Sequence, residues 1–110
     1  MSLVEKIRKA RETKVEAGGF TFAIRRPTAL EMIELRSVPR GRAYLPFVVG
    51  WEGVKEMDIL PGGDPHPLDF NADVCAEWLT DRLDLLLPIS EAIDVAFKAN
   101  EDRLENSKKN

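Results

Sequence analysis

The stretch that decides the fold is Phe-Val-Val-Gly-Trp-Glu-Gly-Val at residues 47–54, an apolar run joined to a tryptophan between two glycines. The run is too short for its hydrophobic periodicity to distinguish a helix from a strand. We favour a short helix over 43–49, because Pro46 suits a first helical turn. A strand over 47–51 is the alternative, since Phe, Val and Trp all fit a sheet.

The segment on the N-terminal side of this stretch predicts a β-hairpin. Phe20, Phe22 and Ile24 alternate with small or polar residues, as expected for a strand with one buried face. Gly18 and Gly19 precede them and can adopt the positive φ angles of a two-residue turn. The partner strand over 13–17 is less apolar, so we expect it at an exposed sheet edge.

Two capping patterns predict helices that flank the hairpin. Ser2 with Glu5, and Thr28 with Glu31, have capping-box spacing, in which side chains accept hydrogen bonds from backbone N–H groups at a helix start. Pro39 and Gly41 are expected to end the second helix. Apolar residues follow each cap at helical spacing: Leu3, Val4, Ile7 and Ala10 on one face of the first helix, and Leu30, Ile33 and Leu35 as the predicted buried side of the second.

The C-terminal half predicts a loop followed by amphipathic helices. Residues 56–70 should form a surface loop, because three prolines and two glycines fall within 61–67. Asn71 can then cap a helix, Pro88 predicts a break or kink, and 105–110 a flexible tail. The apolar positions of these helices are Val74, Cys75, Trp78 and Leu79, then Ile89, Ile93, Ala96, Phe97 and Leu104.

These patterns together predict a mainly α-helical chain with a small β-hairpin, an α+β fold in which residues 1–110 form one compact domain. The composition, 44% hydrophobic and 32% charged, is typical of a chain of this length with one globular core. Its C-terminal part is expected to be helical and amphipathic.

The residue types indicate no catalytic, cofactor-binding or metal site. His66 is the sole histidine and Cys75 the sole cysteine, so the sequence offers neither a set of zinc ligands nor an internal disulfide. His66 has Asp64 and Asp69 nearby but no nucleophile beside it. Cys75 stands in an apolar helical context, where we expect a buried, inert thiol.

Charge is distributed unevenly along the chain. Residues 1–50 carry ten Lys or Arg against five Asp or Glu, and residues 51–110 carry six against fourteen, within a net charge of -3. Such asymmetry can steer one copy toward another or guide a charged partner. The acidic chain has no recognisable nucleic-acid module, so we expect no nucleic-acid partner. No apolar run approaches the ~20 residues of a membrane span, and residues 2–11 do not resemble a secretory signal, so we expect a cytoplasmic protein without a membrane partner.

Several motifs follow one another in an order that resembles a known family. They are Arg-Arg-Pro-Thr at 25–28, an amphipathic helix, Val-Gly-Trp-Glu-Gly-Val at 49–54, and a Pro/Gly/Asp-rich connector leading to Phe70 and a helical end. Over residues 20–97 this order resembles the tail assembly chaperones of bacteriophages with long non-contractile tails, in their short form, as in lambda-like or HK97-like phages.

The resemblance implies a noncatalytic protein of the infected bacterial cytoplasm. It would bind the tape-measure protein, help recruit tail-tube subunits and be absent from the finished tail. The tube-protein contact would come from a longer frameshifted form that shares this domain, and self-association is expected. The alternative function is a small cytoplasmic regulatory domain that binds another protein.

We predict that the protein-binding surface combines residues of the segment 47–54 with apolar residues on one face of the C-terminal helix. A tape-measure helix presents repeating apolar anchors, so many weak contacts along it would add up to strong binding. Trp51 is equally consistent with an internal plug. The predicted surface consists of Phe47, Val48, Trp51, Ile89, Ile93 and Phe97.

Overall fold

A computed structural model describes residues 1–109, leaving aside the side chains of Arg40 and Lys109. The elements in chain order are α1 (Leu3–Ala10), β1 (Glu12–Ala17), β2 (Phe20–Arg25), α2 (Ala29–Glu34), a 3-10 turn (Leu35–Ser37), α3 (Arg40–Ala43), a 3-10 turn (Leu45–Phe47), β3 (Val48–Glu52), α4 (Glu56–Ile59), α5 (Ala72–Thr80) and α6 (Leu83–Lys109). The predicted class, a mainly helical α+β domain, is confirmed.

The predicted hairpin forms as expected. β1 and β2 pair antiparallel from Glu12 opposite Arg25 to Ala17 opposite Phe20, and β1 lies at the sheet edge. Gly18 and Gly19 have φ angles of 60° and 84°. Both residues of the turn are therefore left-handed, a conformation that glycine adopts without steric cost.

The favoured short helix over 43–49 is wrong, and the alternative strand over 47–51 forms with slightly shifted bounds. Only Leu45–Phe47 forms a 3-10 turn, with Pro46 in it, and Val48–Glu52 becomes the third strand. β3 pairs antiparallel with β2, placing Trp51 opposite Phe22. The physical reason lies outside the segment: the second edge of β2 carries backbone N–H and C=O groups, and β3 supplies partners for them.

The predicted capping box forms in full at Thr28, and the Ser2 hydroxyl makes the N-cap bond of the other. The Ser2 hydroxyl accepts a hydrogen bond from the Glu5 N–H at 3.1 Å, and Thr28 and Glu31 make a reciprocal capping box. The predicted buried side of α2 is wrong, because Leu30 and Ile33 are exposed. Only Leu35 of that set packs against the core.

The helical half differs from prediction at its proline and its end. Asn71 caps α5 as predicted, and α4 adds one helical turn within the predicted loop. Pro88 does not break α6, which runs from Leu83 to Lys109. It removes one backbone hydrogen bond, but the burial of Leu85, Ile89 and Ile93 holds the helix on both sides of it. Residues 105–109 of the predicted flexible tail are helical, and Asn110 lies outside the described residues.

The core lies between the sheet and the two long helices. One face of β2 contributes Phe22 and Ile24, and α5 and α6 cover it. Leu85 of α6 packs directly over Gly18 of the hairpin turn. The side chains with no exposed surface at all are Phe22, Ile24, Val54, Leu79, Leu85, Ile89 and Ile93.

Candidate protein-binding surface

Most of the predicted binding surface lies inside the protein. Phe47 and Val48 are 2% and 4% exposed, and Ile89 and Ile93 are fully buried. Phe97 is half-buried. Phe47, Val48, Ile89 and Ile93 are therefore not surface residues, and the reason is physical: an apolar stripe at helical spacing looks the same whether a helix packs on its own sheet or on a partner. A binding role for the half-buried Trp51 and Phe97 stays a prediction.

Trp51 acts as an internal plug. Its indole Nε1–H donates to the Leu68 carbonyl at 2.8 Å, which ties β3 to the end of the loop. Its ring lies edge-on to Phe70, with centroids 5.1 Å apart, and to Trp78, with centroids 6.0 Å apart. Because its indole N–H and its ring both have partners within the chain, Trp51 stabilises the fold.

An ion pair anchors α2 to the sheet. The Arg25 guanidinium donates to both carboxylate oxygens of Glu31 at 2.9 Å, and the Thr28 N–H donates to the same carboxylate. These bonds, led by the one from Arg25, lower the pKa of Glu31 to about 2. Arg25 also lies 4.5 Å above the centre of the Phe47 ring. Arg25 thus links the Arg-Arg-Pro-Thr motif at 25–28 with the segment 47–54.

An open groove lies beside this anchored helix. Its volume is about 410 Å³, and its walls come from α2, the turns that follow it and α6. Apolar side chains form most of the wall, and one arginine and one carboxylate stand at its rim. The groove is lined by Met32, Leu35, Arg36, Val38, Ala43, Tyr44 and Asp94.

The wall of the groove is held in place by a long-range hydrogen bond. The Tyr44 hydroxyl lies 2.7 and 2.8 Å from the two carboxylate oxygens of Asp94, residues that are 50 positions apart in sequence. The bond fastens the turn after α3 to the middle of α6. A groove that is already shaped loses little entropy when a ligand enters it.

Further apolar side chains are exposed on α2 and at the N-terminus. Leu30 and Ile33 of α2 are 65% and 58% exposed. No residue of α1 is buried, so its apolar face of Leu3, Val4 and Ile7 is open.

His66 and Cys75 lie in different surroundings. His66 is exposed and contacts Asp64, whose pKa is lowered by the backbone N–H and then the ring of His66. Cys75 is buried, and burial raises its pKa to about 11. Within residues 1–109, no three His, Cys, Asp or Glu side chains are grouped so as to hold a metal ion.

None of the helices in the described part of the chain combines the length and hydrophobicity that crossing a membrane requires. Comparison with family models, with curated proteins and with solved structures yields no match.

Proposed function

We propose that this chain is a noncatalytic tail assembly chaperone of a bacteriophage with a long non-contractile tail. It binds the tape-measure protein in the cytoplasm of the infected bacterium, helps recruit tail-tube subunits, and leaves before the tail is finished. The sequence motifs at 25–28 and 49–54 motivate this assignment.

The observation that carries the proposal is the open groove beside α2. Apolar walls with a polar rim suit an amphipathic helix, which inserts side chains spaced three and four residues apart. A tape-measure helix repeats such anchors along its length.

Weak contacts suffice for this function because the client is long. Copies bound along one helix act together, so modest affinity per copy gives firm coverage. Modest affinity also allows each copy to leave when the tube subunits arrive. Arg36 and Asp94 at the rim would select the register of charged client residues.

The first test is light scattering of the purified protein, alone and with a tape-measure fragment predicted to be helical. The proposal expects multimers that grow with concentration and capture of the fragment. A small regulatory domain, the alternative, would form one defined oligomer and would not bind the fragment. A monomer that never binds any tape-measure fragment would refute the proposal.

The second test locates the site with matched valines. Val38→Asp places a carboxylate on the groove wall, whereas Val95→Asp changes an equally apolar, exposed residue of α6 that does not line the groove. Burying an unpaired carboxylate against the client should weaken binding by roughly tenfold or more. Equal binding by both variants, with both folded by circular dichroism, would exclude the groove as the client site.

A further inference from the structure

Arg11 and Arg26 lie side by side at the end of the sheet opposite the hairpin turn, and the charge of Arg103 on α6 acts on Arg26. The Arg26 N–H donates to the Arg11 carbonyl at 2.9 Å, directly beyond the last pair of the β1–β2 ladder. α6 begins over Gly18 at the turn end and extends far enough to bring Arg103 to the same region. Partial burial, and then the charges of Arg11 and Arg103, lower the pKa of Arg26.

The three guanidinium groups have no carboxylate partners among residues 1–109. The ion pairs of that part of the chain involve Lys14, Arg25, His66, Arg82 and Lys98 instead. Like charges without counter-charges attract an anion. The positive charge of these arginines is therefore available to a ligand.

The hydrogen-bond donors of this cluster are also poorly used. Arg26 donates to the Pro27 carbonyl at 3.3 Å, a long bond, and Arg103 donates to the Asn100 amide oxygen at 3.0 Å. The Arg11 Nε is buried and has no hydrogen-bond acceptor among the described residues. A buried donor without an acceptor is rare in folded proteins.

A cleft gives access to Arg11. It has a volume of about 410 Å³ and opens between α1, the start of β1 and α2. Of the charged groups that line it, Arg25 and Glu31 neutralise each other. The remaining charged groups are Arg8, Arg11 and Glu12, so the cleft retains a net positive charge.

We propose that Arg11, Arg26 and Arg103 form a binding site for a phosphate-type oxyanion. The residues come from the end of α1, the residue after β2 and the last third of α6, so three separate segments of the chain supply the donors. A tetrahedral dianion accepts hydrogen bonds from several directions at once, whereas a planar carboxylate pairs with one or two guanidinium groups in its own plane. The site is separate from the client groove and does not depend on the proposed function.

Calorimetric titration with inorganic phosphate, at constant ionic strength and with chloride as the reference anion, tests the site. We expect saturable binding of about one phosphate per chain. Arg26→Gln and Arg103→Gln should each weaken binding about tenfold, because each removes one charge-assisted contact. Arg42→Gln removes an exposed arginine outside the cluster and should leave phosphate affinity unchanged.

Thermal unfolding provides a second readout. In phosphate-free buffer, Arg26→Gln should unfold at the same or a higher temperature than the wild type, because it removes one of three repelling charges. Phosphate should raise the unfolding temperature of the wild type more than that of the variant. Arg103 is exposed, so Arg103→Gln keeps the test valid if Arg26→Gln fails to fold.

Three outcomes would overturn the proposal. The first is an absence of saturable phosphate binding to the folded wild type. The second is unchanged phosphate affinity in Arg103→Gln. The third is a hexaglutamate peptide that binds more tightly than phosphate and loses affinity in the same variants, which would assign the arginines to protein carboxylates.

Discussion

Gly18→Ala is the substitution for which the structure gives the clearest expectation. A Cβ at position 18 would lie 2.3 Å from Cδ2 of Leu85, and the residue has a φ of 60°. Leu85 has no exposed surface, so its methyl group cannot turn away into solvent. The added methyl must therefore displace packed side chains between the hairpin and α6.

The magnitude follows from two contributions. The left-handed conformation costs an alanine about 1 kcal/mol, and forcing a methyl into a filled core costs about 1–3 kcal/mol more. Gly18→Ala should thus lower the free energy of unfolding by about 2–4 kcal/mol. Gly19→Ala is the matched control, because Gly19 also has a positive φ but has open space around its Cβ position, and it should cost about 1 kcal/mol.

Urea unfolding monitored by circular dichroism measures the free energy of unfolding of both variants. The slope of this free energy against urea concentration should be the same in each. In a Leu85→Ala background, Gly18→Ala should cost no more than Gly19→Ala, because the clashing methyl is gone. Equal destabilisation by Gly18→Ala and Gly19→Ala in the wild-type background would refute the packing of α6 on the hairpin turn.

Three further predictions concern the ion pair, the thiol and the plug. The pKa of Glu31 is about 2 in the folded protein, below its ordinary value of 4.5. The stabilising effect of its carboxylate is therefore complete above about pH 4.5 and is lost as the pH falls toward 2. Glu31→Gln should lower the free energy of unfolding at pH 7 by about 1–3 kcal/mol and should make that free energy depend less on pH in acid. Cys75, whose pKa is raised to about 11, should react with a thiol reagent at pH 8 roughly a hundredfold more slowly in the native protein than in urea. Trp51→Phe leaves the Leu68 carbonyl without its 2.8 Å donor and should lower the free energy of unfolding by about 1 kcal/mol in urea titrations. If Glu31→Gln unfolds in acid as the wild type does, the Arg25–Glu31 ion pair does not stabilise the fold. Rapid labelling of Cys75 in the native protein would contradict its burial. An unchanged urea midpoint for Trp51→Phe would contradict the contribution of the bond to Leu68.

Local signals explain the elements that the sequence predicted correctly. The caps at Ser2, Thr28 and Asn71 need only residues within one turn of the helix start. The Gly18–Gly19 turn likewise depends on the conformational freedom of two adjacent residues. Interactions between residues this close in the chain can be predicted from the sequence.

The binding surface could not be assigned in the same way. Phe47, Ile89 and Ile93 have the spacing and hydrophobicity of a docking stripe, but the structure buries them against the sheet. Leu30 and Ile33 have the same character and remain exposed. Nothing local distinguishes the two groups, because burial depends on which elements meet in space.

The sequence by itself determined the hairpin, the helix starts and the α+β class, because caps, turns and hydrophobic alternation act over a few residues. Only the tertiary structure decided that Val48–Glu52 is a strand, since its hydrogen-bond partners lie on β2, more than twenty residues earlier in the chain. It also decided that the groove beside α2 stays open and that the charge of Arg103 acts on Arg26. These features arise from contacts between distant segments, which no window of sequence contains.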